Sequence, residues 1–425
     1  MGNNIIGIGS CSFYYFYILG AFISKISELV VLDFSNEYGF KLDKCFAIKN
    51  LLTYIGYIIF GYLFYLNERI KKDDTKKTSL HKSNSLVLIY ESHSMDLTQK
   101  QVVIIIFLSF IFHSFQTEVK SLLYMRGFQP FNLWTTDIFF MRIFLKKYFV
   151  MNEFNHQKLS LLFVMIACSV VLIIAAFLDN TPFKENGQWI VDDVFKVKTK
   201  NDAIKSFLIF LLFMILSSIY SHIRVINKFS MEKKFISSYK IIIFIGIFGI
   251  LISIILSIIC AYFGLDHIDD VTSYNIIEYF GNFTYHSAKN TNFTTYEYYE
   301  GLGFYLILMF IYFMEIFCEM KIIFYLNPVY VLISNTFCYG VMELKQYLND
   351  DEDFRDAKKT YFIFIEISEV VAFIGYSFYL EIIELKYLGL DYNTRKNIMS
   401  RGDVEFKETM LLNFNINEED SDDET

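Results

Sequence analysis

Apolar runs of about twenty residues recur along the chain and are separated by shorter polar segments. A run of that length is what an α-helix needs to cross the hydrocarbon core of a bilayer. The pattern therefore predicts an all-α membrane protein with about ten transmembrane helices. The predicted spans are 8–31, 47–66, 101–124, 131–150, 158–178, 203–224, 240–264, 301–325, 327–345 and 360–384.

Part of the pattern occurs twice. Glu118 and Lys120 close one apolar run before the pair Gln129-Pro130, and about two hundred residues later Glu319 and Lys321 close another before Asn327-Pro328. Aligning the two prolines places Asp137 opposite Asn335. Self-similarity at one offset is typical of duplicated architecture, although two apolar tracts also match by coincidence.

Ten spans divide into five and five, so the second copy enters the membrane from the opposite side. We therefore expect two inverted five-helix repeats, residues 1–178 and 203–384, followed by an acidic tail at 385–425. In transporters, such inverted repeats place one central site between two gates.

Basic residues indicate which side each loop occupies. The polar loop 67–100 holds seven lysines and arginines, which the positive-inside rule assigns to the cytosol. Arg224, Lys228, Lys233 and Lys234 are then expected in another cytosolic loop, and the acidic tail is cytosolic as well. Two other loops, 179–201 and 345–359, fall on the lumenal side although they contain lysines, which conflicts with the rule.

The loop 266–300 falls on the lumenal side and contains a single lysine. It also carries two glycosylation sequons, at Asn282 and Asn292. A sequon is used only in the secretory lumen, so the two signals agree on the side. We predict a glycoprotein modified at one or both of these asparagines.

Composition supports a membrane protein and excludes several functions. Of 425 residues 54% are hydrophobic and 19% aromatic, with only three prolines, whereas soluble proteins carry more charge and more punctuation. The net charge of −8 owes much to the acidic tail and does not indicate nucleic-acid binding. The six cysteines have no metal-ligand spacing, and no catalytic motif is present. We therefore predict no metal, no cofactor and no enzymatic activity.

The segment Thr136–Lys147, followed by His156-Gln157-Lys158-Leu159, resembles the fourth helix, basic turn and fifth-helix start of the drug/metabolite transporter superfamily. The nearest branch is that of the nucleotide-sugar transporters, and the segment Tyr379–Leu385, followed by Gly389-Leu390-Asp391, resembles the way the last helix leaves the membrane in divergent eukaryotic members. The resemblance implies ten helices in two inverted repeats, both termini in the cytosol and a Golgi or endoplasmic-reticulum membrane. The chain departs from the family in being poor in glycine, with nineteen in total.

Ionisable residues inside the spans are the candidate site, because buried charge in a membrane is costly and requires a partner. Lys25 and Glu28 share a helix face and are expected to neutralise each other. Glu315 and Glu319 form an acidic pair that could share a proton or take Lys120 or Lys321 as its partner, and Glu366 and Glu369 form another acidic pair. Asp137 has no local partner. The predicted substrate-binding residues are Lys25, Glu118, Lys120, Asp137, Glu319, Lys321 and Asn335.

These observations favour a secondary-active carrier that moves a small polar solute by alternating access, with an anionic solute such as a nucleotide sugar expected. The alternative is a non-transporting membrane receptor or scaffold that keeps the carrier fold, which the low glycine content favours. The bilayer and the solute are the expected partners, and a homodimer is left open. Besides the Golgi and the endoplasmic reticulum, another endomembrane or the plasma membrane remains an alternative.

Overall fold

The structure is a computed structural model, and part of the chain is described by it. The described residues are 6–8, 15–37, 46–75, 99–125, 136–149, 154–177, 181–185, 188–192, 200–263, 295–349 and 352–386, together with 390, 394 and 397. The two sequons at Asn282 and Asn292 and most of the acidic tail lie outside these residues.

The fold is all-α, with ten helices in the described ranges. They are α1 (Phe16–Glu37), α2 (Phe46–Thr75), α3 (Gln99–Met125), α4 (Asp137–Phe149), α5 (Asn155–Phe177), α6 (Lys200–Lys233), α7 (Ser238–Tyr262), α8 (Thr295–Tyr325), α9 (Val329–Asn349) and α10 (Glu352–Tyr379). Each of the ten predicted spans overlaps one of these helices. The all-α fold predicted from the apolar runs is therefore confirmed.

Two of the helices are long and apolar enough to cross a membrane on length and composition alone. These segments are Val103–Ser121 in α3 and Ser238–Phe263, which covers α7. Two such helices are weak evidence for a membrane protein, since core helices of soluble proteins pass the same test. That all ten helices cross a membrane stays a prediction.

The first predicted span began too early. Residues 8–31 were expected to be helical, but α1 begins at Phe16 and a short strand β1 (Ile6–Ile8) precedes it. This strand pairs antiparallel with β4 (Ile383–Leu385), Ile6 lying opposite Leu385. Gly7 and Gly9 make a helix unfavourable at this point, and the pairing satisfies the backbone instead. Because β4 includes Leu385, the tail boundary placed at 385 divides a strand.

Several helices extend beyond the apolar windows that predicted them. The predicted loop 67–100 begins inside α2, which continues to Thr75. Span 203–224 was too short, since α6 continues to Lys233, and most of the predicted loop 345–359 belongs to α9 and α10. Lysine, arginine and glutamate are good helix formers, so charge ends the apolar run without ending the helix.

The predicted loop 179–201 also contains regular secondary structure. It contains a hairpin of β2 (Thr181–Glu185) and β3 (Gln188–Asp192), with Glu185 opposite Gln188.

Most contacts between helices occur in corresponding pairs, related by a shift of five helices along the chain. Helix α1 packs on α8 and α9, and α6 packs correspondingly on α3 and α4; α2 packs on α8, and α7 packs on α3. The contact of α2 with α7 and the contact of α5 with α10 each correspond to themselves, because the shift of five replaces each helix of the pair by the other. Replacing every helix by the one five positions away thus reproduces most major contacts. Among the described residues, the contacts of α9 with α10 and of α6 with α8 are exceptions, because neither α4 with α5 nor α1 with α3 has a contact of comparable size.

Contacts at one end of the bundle show how neighbouring helices run. The hydroxyl groups of Tyr15, beside the start of α1, and Tyr330, at the start of α9, lie 3.1 Å apart. His156 at the start of α5 lies 3.1 Å from Glu381, just after α10. Near the end of α6, Lys228 donates to two carbonyl groups at the end of α8, at 3.2 and 3.0 Å. Starts of odd-numbered helices therefore meet ends of even-numbered ones, as in an up-and-down bundle.

Although glycines are few, several lie where helices approach most closely. A Cβ at Gly56 of α2 would overlap the backbone carbonyl of Met309 in α8, and one at Gly249 of α7 would overlap the ring of Tyr54. Gly20 of α1 is similarly close to Cys318 of α8. Glycines therefore allow close helix contacts in this protein even though the chain contains few of them.

We expect Gly56→Ala to lower the free energy of unfolding by about 1–3 kcal/mol, the usual cost of overpacking a filled contact. The added methyl group meets backbone, which cannot rotate away. Gly303→Ala is the matched control, because nothing lies within 4 Å of a Cβ at that position. Thermal unfolding of both purified variants checks this, and equal melting temperatures would show that the α2–α8 approach is looser than described.

Candidate functional site

Lys25 of α1 connects to the second half of the chain. Its Nζ lies 3.2 Å from Glu315 of α8 and donates a hydrogen bond of 3.1 Å to Oδ1 of Asn335 in α9. The expected pairing of Lys25 with Glu28 is therefore wrong. Glu28 binds Lys49 of α2 instead, at 2.6 Å, so each of the two residues has its ion-pair partner on another helix.

Arg224 of α6 extends this connection. Its guanidinium lies 2.8 Å from Glu319 of α8 and 3.0 Å from the centre of the Tyr220 ring. Tyr220 in turn accepts a hydrogen bond of 3.0 Å from the side-chain amide of Asn335. Asn335 is therefore the junction between the Lys25 and Arg224 ion pairs.

Lys120 of α3 approaches the same tyrosine. Its ammonium lies 4.9 Å from the centre of the Tyr220 ring, within cation–π distance. Within the described ranges, no carboxylate lies within ion-pair distance of this ammonium. Lys120 is therefore a cation whose nearest described partner is an aromatic ring.

Asp137, the first residue of α4, supplies a negative charge near Lys120. It is buried, and its carboxylate accepts a hydrogen bond from the Ser217 hydroxyl of α6. The Ser221 hydroxyl donates to the backbone carbonyl of Asp137 at 3.1 Å. These contacts fix the carboxylate on α6, so it compensates Lys120 at a distance without forming an ion pair with it.

These eight residues are called the central polar network: Lys25, Lys120, Asp137, Tyr220, Arg224, Glu315, Glu319 and Asn335. Its members come from α1, α3 and α4 on one side and from α6, α8 and α9 on the other.

Exposure differs across the network. The side chains of Lys25 and Glu315 are 22% and 23% exposed, whereas that of Arg224 is only 5% exposed. Lys25 and Glu315 lie well inside their helices, and charged groups are not stable against lipid. Lys25 and Glu315 are therefore more accessible than Arg224.

Two predicted site residues lie outside the network. Glu118 of α3 accepts a hydrogen bond of 2.8 Å from Asn50 of α2, which also bonds Ser121. Lys321 of α8 lies 5.3 to 5.8 Å from three aromatic ring centres, those of Tyr239, Phe317 and Tyr325. The other five predicted residues, Lys25, Lys120, Asp137, Glu319 and Asn335, are brought together.

Arg224 and Tyr220 were missed because Arg224 was assigned to a cytosolic loop. The structure places Arg224 and Lys228 inside α6, where both are buried. Four polar residues, Ser217, Ser221, Arg224 and Lys228, recur at spacings of four, three and four, which is one face of a helix. This stripe was the available signal in the sequence, and it identifies an inward-facing side of α6.

The partners of the acidic pairs also differ from those that were predicted. Glu315 and Glu319 bind Lys25 and Arg224, not Lys120 or Lys321 as anticipated. The carboxylates of Glu366 and Glu369 in α10 both lie against Gly340 of α9. No cluster of histidine, cysteine and acidic residues suited to a metal ion occurs among the described residues.

Comparison with known proteins adds no family. No protein-family model matches the chain, and no curated protein matches its sequence. The class of protein therefore has to be argued from the bundle and its central polar network.

Proposed function

We propose that this chain is a secondary-active membrane carrier, with its solute site at the central polar network. The single observation that carries the proposal is that the network crosses between the two five-helix halves. Its residues on α1, α3 and α4 meet residues on α6, α8 and α9. Carriers built from inverted repeats bind solute at the interface between the repeats, near the middle of the membrane.

The packing of the bundle supports two related halves. Exchanging each helix for the one five positions away reproduces most major contacts, as a two-fold relation between α1–α5 and α6–α10 requires. Neighbouring helices run in opposite directions, and five helices per half then make the second half inverted. Rocking of residues 1–178 against 203–384 would expose the network to each side in turn.

The chemistry of the network suits a solute with an anionic group. Lys120 and Arg224 both approach the Tyr220 ring, at 4.9 and 3.0 Å. Arg224 is engaged by Glu319, whereas Lys120 is free of carboxylates within the described ranges. A carboxylate or phosphate placed beside Tyr220 would gain a charge-assisted hydrogen bond from Lys120. Nucleotide sugars are the solute class that the family resemblance implies.

The orientation proposed from the sequence needs one adjustment. Because Arg224 and Lys228 are buried in α6, they do not count as loop charges. The cytosolic assignment then depends on the loop 67–100 and on the basic turn between α4 and α5. We retain the proposal of a Golgi or endoplasmic-reticulum membrane, with 266–300 in the lumen.

The test is solute exchange by purified protein in proteoliposomes loaded with mixed nucleotides, using labelled nucleotide sugars and other small polar solutes. We expect exchange of at least one solute, and Asp137→Asn should slow it about 10-fold, the range expected for removing one charged interaction. Lys146→Ala is the control, since Lys146 is exposed on α4 and should exchange at the wild-type rate. Folded protein that exchanges none of the solutes would contradict the proposal.

A receptor or scaffold that keeps a carrier-like bundle is the second candidate. The observation that favours it is that Lys25–Glu315 and Arg224–Glu319 are already ion-paired, as they would be in a static core. In that case neither Asp137→Asn nor any other network variant would alter solute movement. The exchange assay therefore separates the two candidates.

A further inference from the structure

The central polar network is balanced in charge. It contains three cationic side chains, Lys25, Lys120 and Arg224, and three carboxylates, on Asp137, Glu315 and Glu319. The adjoining pair of Glu28 and Lys49 adds one charge of each sign. The empty network therefore has a formal charge of zero.

This balance limits which solutes can cross with it. Moving uncompensated charge into the low-dielectric interior of a membrane protein is costly. A dianion bound to a neutral network would leave two negative charges uncompensated during reorientation. A solute with no net charge leaves the balance unchanged.

Charged groups of both signs are nevertheless available to a solute. Lys120 has no carboxylate within ion-pair distance in the described ranges, and it faces the Tyr220 ring. Among the three network carboxylates, Glu315 is the most exposed, with 23% of its side chain accessible against 13% for Glu319 and a fully buried Asp137. The site therefore offers a cation for an anionic group, and at Glu315 a carboxylate that a cationic group would share with Lys25, its ion-pair partner at 3.2 Å.

We infer that the solute is a dipolar molecule of zero net charge, of the amino-acid class, with its anionic group at Lys120 beside Tyr220 and its cationic group at Glu315. This inference depends on the proposed carrier function and narrows its substrate class. It separates the protein from carriers of doubly charged nucleotide sugars.

The experiment is counterflow in proteoliposomes with probes that share one skeleton and differ only in charge. One series is leucine, its deaminated anion 4-methyl-2-oxopentanoate and its decarboxylated cation 3-methylbutylamine; phenylalanine, phenylpyruvate and phenethylamine form another. UDP-glucose serves as the dianion, and protein-free vesicles measure passive entry. We expect the amino acid of at least one series to exchange about 10-fold faster than its anion, its amine or UDP-glucose. A tenfold difference in rate corresponds to only a small part of the free energy that it costs to bury an uncompensated charge.

Two variants should shift this preference in opposite directions. Glu315→Gln leaves one excess positive charge and should raise the rate ratio of anion to amino acid about tenfold, while Lys120→Gln should raise the ratio of amine to amino acid similarly. Glutamine at 315 can still accept the hydrogen bond of Lys25. Because each ratio is measured within one variant, the amount of folded protein cancels. Lys146→Ala should change neither ratio.

The outcomes separate this inference from the proposal that it depends on. Wild-type protein that exchanges UDP-glucose or the oxo acids faster than the amino acids is a carrier of another solute class, which overturns the inference alone. Ratios that do not move in Glu315→Gln and Lys120→Gln overturn it as well. Folded wild-type protein that exchanges none of these probes also overturns the inference, whereas the carrier function is contradicted only if the wider solute panel of the exchange assay shows no exchange either.

Discussion

Arg224→Met is expected to lower the free energy of unfolding by about 3–5 kcal/mol, the usual cost of removing one partner of a buried ion pair. The Arg224 side chain is 5% exposed, and its loss would leave Glu319, 13% exposed, without its partner at 2.8 Å. Tyr220 would also lose the guanidinium that lies 3.0 Å from its ring centre. Thermal and denaturant unfolding of the purified protein would measure the change.

The matched control for Arg224→Met is a second substitution that removes the stranded charge. Replacing a whole buried ion pair by neutral groups is often close to neutral in stability, so Arg224→Met with Glu319→Gln should recover most of the loss. If Arg224→Met alone stays within about 0.5 kcal/mol of wild type, the effect expected of an ordinary surface change, then Arg224 is not buried as described.

Lys120→Met is expected to affect transport more than stability. Its transport rate should fall by about 10- to 100-fold, the effect of losing one charge-assisted hydrogen bond. Methionine keeps the apolar stem of lysine and removes its charge. In the described ranges no carboxylate forms an ion pair with Lys120, so the fold should lose less stability than it does in Arg224→Met. Exchange rates and melting temperatures measured on the same preparation check both halves of the expectation.

Lys146→Met is the control for Lys120→Met, since it makes the same chemical change at an exposed position of α4. Its exchange rate and melting temperature should equal those of wild type. A Lys120→Met protein that exchanges solute at the wild-type rate would remove Lys120 from the site. One that fails to fold would indicate that Lys120 stabilises the bundle through a structural contact.

The sequence predicted the helices well because each apolar run is long enough to form one. All ten predicted spans overlap helices, and the errors lie at their ends. The predicted spans end where the apolar run meets charged residues, whereas α2 and α6 continue through Glu, Lys and Arg to Thr75 and Lys233. The start at residue 8 failed for a different reason, since pairing of β1 with β4 depends on residues more than 370 positions away.

For the central polar network, several members were predicted as candidate site residues, whereas their pairings were not. The cost of buried charge identified Lys25, Lys120, Asp137 and Glu319, which the structure brings into one network with Asn335. Their partners depend on which helices meet, so nearness in sequence paired Lys25 with Glu28 incorrectly. Arg224 was missed because positive charge near a span end was assigned to a loop, although the polar stripe of α6 from Ser217 to Lys228 indicated a helix face.

Glu118 and Lys321 show the limit of the repeat as a guide to the site. They occupy corresponding runs with Lys120 and Glu319, yet residues two apart on a helix face different directions. Glu118 therefore faces Asn50 of α2, and Lys321 faces aromatic rings. The duplicated pattern indicated the turns of α3 and α8 that contribute to the network, and the direction of each side chain on its helix determines which residues of these turns belong to it.

The most direct test of the central claim, that the central polar network is a solute site, is thermal unfolding of the purified protein against a library of small polar solutes. A ligand that binds only the folded state raises its stability by about 2.7 kcal/mol at a hundred times its dissociation constant. The account predicts that at least one solute raises the melting temperature of wild-type protein and of Lys146→Met, but not of Lys120→Met. A library without effect on wild type, or a solute that stabilises Lys120→Met equally, would contradict it.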